Sequence, residues 1–271
     1  MATIVLVVVN YQTSDLALNL CRSVAACRAT DELGVLIVDN GSGADSARQL
    51  RDGLPDSLGA DVLACENLGY FGAARRAQEW LLERGLDPDW MILSNADIEI
   101  RDPSFFETLA CQSTQSGVLA PAINAPGIRA DQNPYMVRRP SLARMRAYKW
   151  IYGHRVTGTL YELLGHARGR LGGYRERPAS PARAIYAPHG SFLIFSRRYW
   201  KLPDAFAHEP FMFGEEISVA ECARRHGLLV AYEPGLAVHH VGHASVGMWP
   251  SVSKLTWLEA ATRYCADRYF R

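Results

Sequence analysis

Apolar and polar positions fall into two rhythms along the first 120 residues. Ile4 to Val9 is an unbroken apolar run, IVLVVV, as expected of a strand buried on both faces of a sheet. Leu16, Leu20, Val24 and Cys27 then recur at helical spacing behind Ser14 and Asp15, either of which can cap the helix. Val35 to Val38 reads as a second buried strand and Asp61 to Cys65 as a third, weaker one. Phe71 to Arg84 predicts a helix closed by Gly85. Trp90 to Ser94 predicts the next strand, and Asp102-Pro103 the opening of another helix. This succession predicts an α/β fold with a mostly parallel, Rossmann-like central sheet and helices on both faces.

The rhythm changes after Pro121. Residues 123–184 are rich in Arg, Gly, Pro and Tyr, with short periodic pieces such as Met145 to Leu164. Order returns from Ile185: apolar residues run from Phe192 to Phe195, and a helix covers Glu216 to His226 before Gly227. Two short strands are expected around Pro234, and a final amphipathic helix within Val246 to Phe270. The simplest account is one domain over residues 1–271, with halves 1–120 and 185–271 and an insertion at 123–184. A chain of 271 residues has ample core, and 48% hydrophobic with 21% charged residues describes an ordinary globular protein. No apolar run approaches the roughly 18 residues that span a bilayer. The N-terminal run lacks a basic flank, so it reads as a strand rather than a signal peptide. Six cysteines without a C-x-x-C pair point to reduced thiols in a cytoplasmic protein.

Charge changes this picture in one place. The net charge is +1, yet Arg129 to Arg183 holds twelve Lys or Arg against three acids, a balance of +9 that leaves −8 elsewhere. Tyr148, Trp150, Ile151 and Tyr152 lie among Arg144, Arg146, Lys149 and Arg155. This mixture suits a segment resting on anionic membrane, a lid over a pyrophosphate-linked acceptor, or a solvated loop with packed aromatics. Nucleic acid is not the expected partner, because no recognised binding motif accompanies the charge.

Candidate chemistry gathers where strands end. Trp90 to Ser94 runs into Asn95-Ala96-Asp97, which would put an amide and a carboxylate at the carboxyl edge of the sheet, where open α/β folds bind ligands. Hard oxygens there suit Mg²⁺ or Mn²⁺ holding a diphosphate, although Asp at a strand end also serves as a turn former. The first strand ends at Asn10-Tyr11, with neither the G-x-G-x-x-G of a dinucleotide site nor the Gly-rich, Arg-containing loop of a nucleotidyltransferase. The second ends in Asp39-Asn40-Gly41, either a plain turn or a place where Asp39 accepts a hydrogen bond from a pyrimidine base. Asn67-Leu68-Gly69 precedes a helix carrying Arg75 and Arg76 on its first turns, which suits an anion or merely caps the helix.

The succession VVVNYQTSD, IVDNGSG, ENLGYFGAARRA and MILSNADIEIRDP resembles the nucleotide-binding half of glycosyltransferase family 2, including its rhamnosyltransferase-like members. HGSFLIFSRRYW, GEEISVAECARRHG and YEPGLAVHHVGHAS resemble that family's acceptor strand, acidic helix and His-containing closing segment. The resemblance implies a GT-A fold and inverting transfer of a hexosyl or deoxyhexosyl group from a nucleoside-diphosphate sugar. The acceptor would be a glycan or a lipid-linked glycan in bacterial surface polysaccharide synthesis, at the inner face of the membrane. It places Asn10, Asp39, Asn67, Gly69, Arg76 and Asn95 around the donor. It gives Asp97 and His240 the divalent cation; spacing from Pro234 and to Ser245 favours His240 over His239 and His243. Glu216 falls on the catalytic base, with Glu215 beside it as the alternative. Two departures stand out: Asn95-Ala96-Asp97 where the family usually has Asp-x-Asp or Asn-Pro-Asp, which leaves one carboxylate for the metal, and Glu216 where it has Asp. They leave a second reading, a non-catalytic relative that binds nucleotide sugar or glycan as a partner subunit.

Overall fold

The computed structural model describes residues 2–28, 33–125, 131–171, 181–242 and 251–271. Arg129, His243, Ser245 and the segment from 246 to 250 lie outside them. The chain runs β1 (Ile4–Asn10), α1 (Ser14–Ala25), β2 (Leu33–Asn40), α2 (Ala44–Gly53), β3 (Ala60–Cys65), α3 (Gly69–Glu83), β4 (Trp90–Asn95), β5 (Ile98–Glu99) and α4 (Phe105–Ala110). It continues through β6 (Ser116–Asn124), α5 (Leu142–Tyr152), α6 (Arg155–Leu171), β7 (Arg183–Ala184), β8 (Phe192–Ser196), α7 (Arg197–Trp200), α8 (Glu215–Arg225), β9 (Leu229–His240) and α9 (Val252–Tyr269). The sheet has nine strands in the order β3-β2-β1-β4-β8-β6-β9-β5, with β7 paired to β9 off this path. The ladders β1–β2, β1–β4, β2–β3 and β6–β9 are parallel and longer than the four antiparallel ones.

Apolar residues alternate between two cores because successive strand side chains face opposite ways. Ile4, Leu6 and Val8 join α1 and α4 on one face, with Leu20, Phe105 and Phe106. Val7, Leu36 and Leu93 join α3, α7 and α8 on the other, with Phe71, Trp200 and Val219. The chain winds from β1 out to β3, then returns to β4 on the other side of β1. That reversal opens a crevice at the carboxyl ends of β1 and β4.

Two expectations need correction. The two strands expected around Pro234 are one strand, β9, whose parallel ladder with β6 shifts register between Pro121/Glu233 and Ala122/Ala237. Pro234 falls in the skipped stretch, where no ladder donor is required. The periodic piece from Met145 to Leu164 is two helices, divided after Tyr152 at Gly153. A Cβ on Gly153 would lie 2.9 Å from the Lys149 carbonyl oxygen, so glycine allows the tight break.

Candidate active site

The crevice is a cleft of about 460 Å³. Of the residues expected in the site, it collects Asn67, Gly69, Asn95, Asp97, Glu215, Glu216 and His240. They arrive from four different segments, and each is positioned by local geometry. β4 ends at Asn95, whose amide donates to the Ser191 carbonyl at 2.9 Å. The chain then turns through Ala96-Asp97 and returns as β5 along β9, placing Ile98 opposite His240. The Val241 amide donates to the Asp97 carbonyl at 2.9 Å, closing this corner. Asp97 Oδ2 and His240 Nε2 therefore meet at 3.2 Å, both buried.

Across the cleft, Asn40 organises the Asn67–Gly69 loop. Its side chain accepts from the Leu68 amide at 2.8 Å and donates to Gly69 O and Asn67 Oδ1 at 3.2 Å each. Gly69 has a φ of +73°, and a Cβ there would lie 2.3 Å from the Phe211 carbonyl oxygen. Only glycine lets the start of α3 sit against the 211–214 segment. That segment turns through Phe213 and Gly214, at φ +71° and +83°, into α8. Buried His208 pins it, with one ring nitrogen 2.8 Å from Ser218 Oγ and the other 2.9 Å from the Phe213 carbonyl. Burial pushes the His208 imidazole down to about 4, so the neutral ring is the one that holds the turn.

The turn delivers Glu215 and Glu216 on the first turn of α8, where the helix dipole favours negative charge. Burial opposes it. Glu215 is pushed up to about 8, by desolvation first and then by the neighbouring Glu216 charge. Glu216 is also raised by desolvation, while a hydrogen bond from the Gly190 backbone favours its anion. Gly190 makes room for this: a Cβ there would sit 2.9 Å from Glu216 Oε1. Tyr70 donates to the Gly190 carbonyl at 2.9 Å, and its phenol is held neutral by burial and by Glu215 and Glu216.

The Asp97–His240 pair fits a divalent cation. Two neighbouring ligands ~2.1 Å from an octahedral ion lie about 3 Å apart, close to the spacing seen here. Gln132 Oε1 lies 3.0 Å from His240 Nδ1, placed to accept from an Nδ1–H; in that tautomer the Nε2 lone pair is the one on the Asp97 side. Three carboxylates, Asp97, Glu215 and Glu216, line the cleft, so a diphosphate entering it needs a cation between. Asp204, Cys222 and His226 also cluster, but at the far end of α8 from Glu215. There Asp204 already pairs with Arg225 at 2.9 Å and His226 at 2.8 Å, and burial raises the Cys222 thiol to about 11.

Three expected site residues are not in the lining. Asn10 and Asp39 lie beneath the edge, fully enclosed, where Asn10 Nδ2 donates to Asp39 Oδ1 at 2.8 Å and Ser46 donates to the same oxygen at 3.2 Å. Asp39 reaches a separate, shallow hollow beside Gly43 and Cys65. Arg76 points away along α3, where it pairs with Glu79 at 3.3 Å and Glu83 at 3.5 Å. Helical spacing explains this: the i+3 and i+7 acids share its outer face. Other lining residues escaped the sequence reading, among them Tyr70, Tyr135, His189 and Trp257. Gln132 was missed as well; it and Tyr135 lie within the stretch read as an insertion, where no periodicity marks them.

No protein-family model matches this chain, and no curated protein does. Solved structures do. Residues 1–349 of S. aureus TarS in complex with UDP-GlcNAc match with a TM-score of 0.57 at 12% identity, over 97% of this chain and 70% of that one. The Pyrobaculum calidifontis mannosyltransferase PcManGT, in complex with GDP-Man and Mn²⁺, matches at 0.56 and 12%, over 99% and 69%. A mycobacterial protein matches at 0.53 and 16%, over 98% and 74%. At these identities the likeness describes the backbone: this chain has a GT-A-type glycosyltransferase fold.

Proposed function

We propose that the protein is an inverting glycosyltransferase of the family 2 type, moving a sugar from a nucleoside diphosphate to an acceptor hydroxyl in glycan synthesis. The observation that carries this reading is the convergence in one cleft of Asp97 and His240, a cation-fitting pair, with the raised-pKa carboxylates of α8. The proteins of similar fold whose structures contain UDP-GlcNAc or GDP-Man with Mn²⁺ support it. A bound Mg²⁺ or Mn²⁺ supplies Lewis-acid stabilisation of the departing diphosphate. Asp97 and His240 hold that ion, and Gln132 fixes the imidazole tautomer. Asn67, Gly69 and Asn95 line the donor side.

Glu215 and Glu216 divide the acid–base work. Glu215, the more deeply buried, is the one pushed up to about 8, while the hydrogen bond from the Gly190 backbone favours the anion of Glu216. Glu216 accepts the proton of the acceptor hydroxyl as it attacks the anomeric carbon opposite the leaving group. One displacement of this kind inverts the centre and needs no covalent carboxylate intermediate.

Thermal-shift measurements across nucleoside diphosphates, with and without Mn²⁺, test the reading. A ligand at a hundred times its Kd adds ~2.7 kcal/mol, so the correct nucleotide raises Tm clearly, and only with the metal. Stabilisation by no nucleotide would sink the proposal. Stabilisation together with absent donor turnover would instead favour a non-catalytic binding subunit.

A further inference from the structure

Helix α6 is inside out. Its inward face carries Gly158, which is buried 3.3 Å from Leu255 as judged by a Cβ at that position, and Glu162. Glu162 pairs with Lys254 of α9 at 2.8 Å, both side chains only about 15% exposed, and accepts from Tyr152 at 2.8 Å. The opposite face carries Val156, Leu160, Leu163 and Leu164, exposed by 80, 55, 40 and 49%. At ~100° per residue these four positions span an arc of about 100°, opposite Gly158 and Glu162. Trp150, 60% exposed at the end of α5, adds a ring to the same region of the chain. A helix packed for water alone would place these apolar residues inward and Glu162 outward.

Charge indicates what covers this face. Among the described residues of α5 and α6, Arg146 and Arg155 are exposed, while the acid Glu162 is turned inward against Lys254. Other charges that looked available in sequence are engaged: Lys149 pairs with Asp267 at 2.6 Å and Arg144 lies over the Tyr148 ring. A second copy of this chain would set the same exposed arginines against these and offer them no acid from α6, whose Glu162 is turned inward. Anionic lipid offers both an apolar layer and negative headgroups.

We propose that the outward face of α6, with Trp150, is a surface that seats on an anionic membrane. α6 lies in the interface plane along its ~25 Å length, the four aliphatic residues entering the headgroup–acyl boundary and the arginines reaching the phosphates. No helix among the described residues is long and apolar enough to cross a membrane, so the contact is lateral. α9 links this face to the cleft, since Lys254 and Leu255 meet α6 and Trp257 lines the cleft. The proposal stands independently of the reaction assigned to the cleft.

The test is co-sedimentation of the full chain with phosphatidylcholine vesicles, with and without phosphatidylglycerol. Binding should require phosphatidylglycerol and weaken with salt. Leu160→Ser/Leu164→Ser, at exposed positions, should lower it roughly ten-fold or more with Tm and nucleotide-dependent stabilisation unchanged. Trp150→Ala, on a different helix, gives the same readout should the double variant misfold. Failure to sediment with either vesicle overturns the proposal, as does binding that both variants leave intact. A dimer in light scattering that the double variant abolishes would assign the face to a second copy instead.

Discussion

Glu215 and Glu216 are neighbours in sequence, yet we propose different parts for them. The folded Glu215 carboxyl ionises at about 8, above its ordinary value of 4.5, because burial and the Glu216 charge both disfavour its anion. Between those values the folded chain holds a proton that the unfolded chain has released. The stability from this group is therefore full below pH 4.5 and is lost as pH rises through 8. Glu215→Gln should raise Tm at pH 8.5, by roughly 2–4 °C for each kcal/mol recovered, and change it little at pH 4.5. An equal shift at both values would mean that Glu215 is not titrating. Glu216→Gln should instead lower turnover by ~10²–10⁴-fold with donor affinity nearly intact. A steeper loss in Glu215→Gln would exchange the two roles. On the metal side, Asp97→Asn should abolish Mn²⁺-dependent nucleotide binding, with Asn95→Ala milder because an amide oxygen serves a hard cation less well. Gln132→Ala should weaken Mn²⁺ roughly 10–100-fold while nucleotide binding at saturating Mn²⁺ persists. Titration calorimetry separates the two.

At the scale of elements, the cleft depends on backbone approaches that glycines allow. Gly69→Ala puts a Cβ 2.3 Å from the Phe211 carbonyl at a positive φ, so α3 and the 211–214 segment must part. We expect a loss of roughly 2 kcal/mol or more and weaker nucleotide binding, seen in denaturant melts and calorimetry. Gly43, also at positive φ but with open space around it, should cost less on the same substitution. Several elements were legible in sequence for plain reasons. β1, β2 and β4 are continuous apolar runs, and α3 and α8 carry strong periodicity with glycine stops at Gly85 and Gly227. β9 was read as two strands because Pro234 normally breaks a ladder; the register shift that accommodates it is a property of the pairing with β6. The outward apolar face of α6 has ordinary helical spacing, and spacing alone does not say which face turns inward.

Across the whole molecule, the site is assembled from strand ends that sequence could nominate but not aim. Asp97 and His240 are 143 positions apart and meet because β5 returns along β9. Arg76, six residues beyond the cleft residue Tyr70, faces acids of its own helix instead. Tyr135 reaches the cleft, and Gln132 the His240 ring, from a stretch that looked like an appendage; the Gln132 backbone amide donates to the Ile123 carbonyl in β6. We propose that this assembly performs one displacement with Glu216 as base and Asp97 as metal ligand. The most direct test is release of nucleoside diphosphate from nucleotide sugars with Mn²⁺, run on the unaltered protein, Asp97→Asn and Glu216→Gln side by side. We expect turnover of at least one donor that chelator stops, and a fall of ~100-fold or more in both variants. Release that persists in chelator and is equal in all three proteins would contradict it.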